Sequence, residues 1–282
     1  MAVTRSDVFV TADELSRLIA AGDPVTLLDV RWTLAAPDGR QAYESGHLPG
    51  AVYVSLDDGL SDHRVSGRGR HPLPSGRDLE AAARGWGIRT GVPTVVYDDW
   101  NRAGSARAWW VLTAAGIADV RILDGGLAAW TAAGGPLQAG PVTPTPGDVD
   151  VAHDDLYHGA RRTLTAEQVA DVAVLLDARA PERFRGDVEP VDPVAGHIPG
   201  AGNLPSTGVL DADGTLLPDT DLRALLADHG AAGEVGAYCG SGVTAALVVA
   251  ALAAAGVDAA LYPGSWSEWS SDPNRPVARG AP

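Results

Sequence analysis

The sequence predicts an α/β protein built as two tandem copies of one domain, each a parallel sheet flanked by helices on both faces. Three observations carry this. The chain repeats itself: TADELSRLIAAG, VTLLDVRW and YESGHLPGA return later as TAEQVAD, AVLLDARA and AGHIPGA. VVYDDWNRAGSARAWWVLTAAG and DGGLAAW are then matched by GAYCGSGVTAALVVAALAAAG and PGSWSEW. Landmarks recurring in one order mark a duplicated unit. Within each copy, short apolar runs alternate with helical segments, the pattern of parallel strands covered by helices. Finally, GGPLQAGPVTPTPGDVD lies between the copies, and its prolines fix φ and remove donors, as in an extended linker.

The elements follow in order. Residues 1–140 form the first domain, 141–160 the linker and 161–282 the second domain, with the boundary near residue 150. Thr11 with Glu14, and Thr165 with Gln168, fit capping boxes that each open a short helix. LLDV, VLLD and TVVYD are apolar, short and bounded by breakers, as buried strands are. Ala245 to Ala255 reads as a helix ended by Gly256. Ligands of such sheets bind beyond the carboxyl ends of the strands. Cys239, after AY and before CGSGVTA continues into the helix, stands at such an end.

Composition excludes several classes. Asp plus Glu number 36 against 21 Lys plus Arg, a formal charge of −15, which disfavours nucleic acid and anionic membrane surfaces. One cysteine excludes an intramolecular disulfide and any multi-cysteine metal site. The seven histidines are scattered without an HxxxH pair, so no metal is expected. The N-terminal stretch has no apolar core of signal-peptide type. The most apolar run, Ala245 to Ala255, is far shorter than a bilayer span of about 20 residues. A soluble cytoplasmic protein is the expectation.

The lone thiol is placed where a thiolate is favoured. A helix N-terminus offers unpaired N–H groups and a partial positive charge. Gly240 and Gly242 let successive N–H groups converge on one point, and Ser241 and Thr244 add hydroxyls. The loop therefore stabilises a thiolate or a persulfide anion without a cationic side chain. A buried structural cysteine is the competing reading. The repeat weighs against it, because the equivalent place in the first copy is near Asp98 and the fold needs no cysteine there.

CGSGVTA at 239–245, GHLPGA at 46–51, GHIPGA at 196–201 and ARAPERFRG at 178–186 together resemble the two-domain rhodanese-type sulfurtransferases, over nearly the whole chain. The resemblance implies a catalytically silent first domain and a persulfide on Cys239. It implies a small-molecule sulfur donor, a thiol acceptor such as thioredoxin or cyanide, and no cofactor. CGSGVT is similar to the 3-mercaptopyruvate enzymes, whereas a loop such as CRKGVT would suit thiosulfate. Arg183 falls where the family binds the donor carboxylate, and a guanidinium can hold it by two parallel hydrogen bonds. The family's second arginine, further along that loop, is missing; Val191 and Asp192 stand nearest. Some members are proposed to use a Ser-His-Asp relay, for which Ser241, His71 and Asp57 are the matching residues. Gly240, Gly242, Val243 and Thr244 would complete the substrate-binding loop.

Other readings are weaker. A phosphatase of the related fold needs an arginine six residues after the cysteine, where this chain has Ala245. A persulfide carrier would load sulfur yet turn over slowly. His47 and His197, with Asp29 and Asp177, occur in both copies although the thiol occurs in one, so they are expected to hold loops. Trp32 and Trp100 are candidates to face the cleft.

Overall fold

The computed structural model describes residues 3–281. The first domain holds five strands, β1 (Phe9–Val10), β2 (Thr26–Asp29), β3 (Val52–Tyr53), β4 (Thr94–Tyr97) and β5 (Val120–Leu123). The second holds β6 (Val174–Asp177), β7 (Gly202–Asn203), β8 (Val235–Tyr238) and β9 (Ala260–Leu261). The sheet orders are β1-β5-β4-β2-β3 and β7-β6-β8-β9. Every strand pair within them is parallel. Such sheets bury both faces, which is why β4, with the sequence TVVY, and β8, with VGAY, are buried throughout.

The registers make the copies superposable by sequence. Asp29 pairs with Tyr97 as Asp177 pairs with Tyr238. The residues that follow, Asp98 and Cys239, are therefore structural equivalents at the carboxyl ends of their strands.

Helix Ala103–Ala114 follows the first of these and helix Ala245–Ala254 the second. Every residue of Ala245–Ala254 is buried. The two helices pack against each other across the domains, and one apolar cluster runs through both halves, including Trp109, Trp110, Leu247 and Val248. Each buried side chain of this size contributes roughly 1.5–3 kcal/mol. The packing fixes the two strand ends facing one cleft.

The first capping box forms as expected: Thr11 Oγ1 accepts from the Glu14 amide at 3.2 Å, and Glu14 Oε2 accepts from the Thr11 amide at 2.9 Å. The second forms only in part. Gln168 Oε1 accepts from the Thr165 amide at 2.9 Å, but a 3-10 turn at Gln168–Ala170 replaces the expected α-helix. The segment before β6 is shorter than that before β2 and leaves no room for a full helix. The linker lies extended along the first domain. The amides of Gly147, Val149 and Ala152 donate to the carbonyls of Arg84, Ile88 and Ala115. No described helix is long and apolar enough to cross a membrane.

Candidate active site

Cys239 sits between β8 and the buried helix, with 2% of its surface exposed. Its amide donates to Ser265 Oγ at 3.1 Å, and its carbonyl accepts from the Trp266 amide at 3.0 Å. The Gly240 carbonyl accepts from the Ser267 amide at 2.9 Å. The PGSWSEW landmark thus pins the carbonyls of the loop. Among the described residues, nothing accepts from the backbone amides of Gly240, Ser241, Gly242, Val243 or Thr244. Gly242 takes φ +74°, and a Cβ there would run into the Pro263 carbonyl, so only glycine permits this curl. Buried backbone amides normally find acceptors. Five in a row without one make a nest for an anion at the end of a helix.

The second domain supplies the thiol and the first supplies an imidazole beside the loop. His71 Nδ1 lies 2.7 Å from Ser241 Oγ, across 170 residues of chain. His71 Nε2 lies 3.4 Å from Asp57 Oδ1. With Nε2–H turned toward that carboxylate, Nδ1 is left to accept the serine hydroxyl. Burial, then the cations Arg107 and Arg70 and the neighbouring His63, push His71 down to about 3. The imidazole is therefore neutral in neutral solution. Asp57 also faces the half-exposed His63, at 3.8 Å from its Nε2. Asp58 instead uses its amide to satisfy Ser55 Oγ, the cap of the short helix Leu56–Gly59.

Arg183 lines the same cleft. Its Nε and Nη2 edge is already held by Glu189, at 3.3 and 2.6 Å. Arg183 alone cannot grip a donor carboxylate by two parallel bonds; its Nη1 is the group left toward the cleft. A second guanidinium, overlooked in the sequence, comes from Arg70, immediately before His71. A Cβ on Gly240 would stand 3.0 Å from Arg70 Nη2 and 3.6 Å from Arg183 Nη1. Asp192, almost wholly buried, bridges the pair: it accepts from Arg70 Nη1 and, at 3.3 Å, from Arg183 Nη2.

Arg107 corrects a further expectation, that the loop works without a cationic side chain. It is fully buried and has no carboxylate partner among the described residues. Its Nη2 donates to the carbonyls of Leu60 and His71 at 3.0 and 2.9 Å, and its Nη1 to that of Gly242 at 3.2 Å. Burial lowers it to about 10, still charged at neutral pH. It ties the first-domain loops to the nest and sets a positive charge beneath Cys239. An arginine within the apolar run ARAWWVL was the signal available in the sequence.

The remaining candidates fall into place. The cleft is a cavity of about 330 Å³. Trp32 and Trp100 both line it, with Cys239, Gly240, Ser241, Val243 and Thr244. Gly242 shapes the loop from behind. His47 bonds the carbonyls of Leu48 and Gly140, and His197 bonds that of Phe184. Asp29 and Asp177 are buried against Arg31 and Arg179. These four hold loops, as the repeat predicted. At Asp98, the equivalent of Cys239, the carboxylate accepts from the amides of Trp100, Arg102 and Ser105 and from Ser105 Oγ.

Duplicated parallel sheets with a thiol loop at one strand end define the class. The chain matches the rhodanese-like domain over residues 11–133 and 161–272 and belongs to that family. It is 68% identical over 279 residues to the Mycobacterium tuberculosis protein named "Putative thiosulfate sulfurtransferase SseB", covering 98% of each chain. It is 45% identical to the Pseudomonas aeruginosa protein named "Probable 3-mercaptopyruvate sulfurtransferase", covering 96% of this chain and 97% of that one. The crystal structure of the Escherichia coli 3-mercaptopyruvate sulfotransferase SseA matches with a TM-score of 0.78 and 34% identity, covering 92% of this chain and 98% of that one.

Proposed function

We propose that the protein is a sulfurtransferase that takes sulfur from 3-mercaptopyruvate, carries it as a persulfide on Cys239 and passes it to a thiol or to cyanide. The observation that carries this reading is the single thiol held at the open nest of five loop amides.

The thiolate of Cys239 attacks the donor sulfur, the S–S bond forms and the C–S bond breaks. The electron pair leaves on pyruvate as its enolate. The enolate takes the proton that the donor thiol gives up, relayed through Ser241 and neutral His71, so that pyruvate and a persulfide anion result. Asp57 holds the His71 tautomer, as a carboxylate beside a catalytic imidazole does. The persulfide anion rests on the amides of residues 240–244, with the Arg107 charge below. A thiolate such as that of thioredoxin, or cyanide, then attacks the outer sulfur and returns Cys239 as thiolate. Residues 1–140 act as a catalytically silent domain that lends His71 and Asp57, and residues 161–282 act as the catalytic one.

Charge supports a monocarboxylate donor. Around the cleft Arg70, Arg179 and Arg183 are offset by Asp177, Glu189 and Asp192. The buried Arg107, which has no carboxylate partner among the described residues, adds one uncompensated positive charge, and that matches one donor carboxylate rather than a dianion. Thiosulfate is the second reading, and the name of the M. tuberculosis relative favours it. In that reading the thiolate displaces sulfite and the same persulfide forms. Sulfur transfer from the two donors at matched concentrations, with cyanide and then a dithiol as acceptor, separates them. The expected result is a larger kcat/KM for 3-mercaptopyruvate and none with Cys239→Ser; a preference for thiosulfate overturns the donor assignment.

A further inference from the structure

We infer that Arg70, from the first domain, is a second carboxylate-binding residue of the site, and that Asp192 positions it. Four observations converge. Glu189 takes the forked edge of Arg183, so one guanidinium cannot provide both contacts. Arg70 Nη2 and Arg183 Nη1 face Gly240 from opposite domains, and neither makes a hydrogen bond within the described residues. Both arginines line the cavity that holds Cys239. Asp192 is nearly fully buried and bonds the other Nη of each, so it offsets their repulsion from behind and leaves the facing N–H groups to a ligand.

Two guanidiniums tied at the rear by one carboxylate thus present a clamp for a second carboxylate in front, next to the nucleophile. The donor carboxylate would take one N–H group from each domain. Ion-paired hydrogen bonds are short and strong because both partners are charged. A planar fork also fixes direction in a way an ammonium does not. Arg70 Nε is buried without a partner, so the guanidinium is held by the Nη1 bond to Asp192 alone.

This inference rests on the Cys239 sulfurtransferase reading, and its test is built to fail separately. The probes are 3-mercaptopyruvate and mercaptoacetone, which carries a methyl group in place of the carboxylate. In Arg70→Met the ratio of kcat/KM for 3-mercaptopyruvate over mercaptoacetone is expected to fall about 10- to 100-fold, the loss of one charged hydrogen bond. Arg70→Lys should fall between. Pyruvate titrated against the tryptophan fluorescence of the cleft should bind correspondingly more weakly to Arg70→Met. In Asp192→Asn, removal of one negative charge should raise the ratio of thiosulfate to 3-mercaptopyruvate turnover several-fold. An unchanged donor ratio in Arg70→Met, or unchanged pyruvate binding, overturns the inference. A wild-type protein that binds pyruvate through Arg70 yet takes no sulfur from 3-mercaptopyruvate would instead break the donor assignment alone.

Discussion

The loop at Asp98 and the loop at Cys239 occupy the same place in two copies of one domain, and they differ in what fills the nest. In the first copy the filler is built in. The Asp98 carboxylate accepts three amides and a hydroxyl and lies beside Arg102, at 3.3 Å from its Nη2. In the second copy the amides of residues 240–244 keep their bonding capacity, and the side chain at the strand end is a thiol. The comparison teaches that this turn binds an anion by construction. One copy spends that property on its own stability, and the other leaves it available to a thiolate or persulfide.

Exchanging the occupants tests this most severely. Cys239→Asp should abolish sulfur transfer while closing the nest, making the protein about 1.5–3 kcal/mol more stable than Cys239→Ala, the range for hydrogen bonds to a charged group. Asp98→Ala should cost about 3–5 kcal/mol in denaturant unfolding, because it takes the carboxylate from beside the buried Arg102 and leaves three amides without an acceptor. If Cys239→Asp is no more stable than Cys239→Ala, the two turns are not equivalent anion sites.

A smaller effect sharpens the division of labour between the domains. His71 is buried neutral at about 3, below its ordinary 6.5, so the unfolded chain takes up a proton there before the native one does. Stability should therefore fall as pH drops below about 6.5, by up to about 1.4 kcal/mol per pH unit from this group. His71→Gln should flatten that slope. Asp29, raised by burial to about 6, works in the opposite direction but is common to both proteins. Equal slopes in the two proteins would mean that His71 is not held neutral.

Much of this was legible in the sequence, for a physical reason. Strands, caps and the repeat are written in local patterns, so β2, β4, β6, β8 and the Thr11 cap could be placed. Cys239 could be placed because a thiol between a strand and a glycine turn is a local arrangement. Arg70, Arg107 and Asp192 could not, because their roles arise from contacts across the cleft. Arg107 reads as one charge in an apolar helix until Leu60, His71 and Gly242 close around it. Arg183 was found by resemblance, but its pairing with Glu189 depends on how the loop after it folds back. The second cap misled because its side-chain bond forms without space for the helix.

The most direct measurement of the central claim is the mass of the Cys239 peptide after the protein meets 3-mercaptopyruvate without an acceptor. The account predicts the gain of one sulfur atom on that peptide, its loss on adding cyanide, and one pyruvate released per sulfur bound. An unchanged peptide mass while pyruvate is still produced would contradict it, because sulfur would then leave the donor without passing through Cys239.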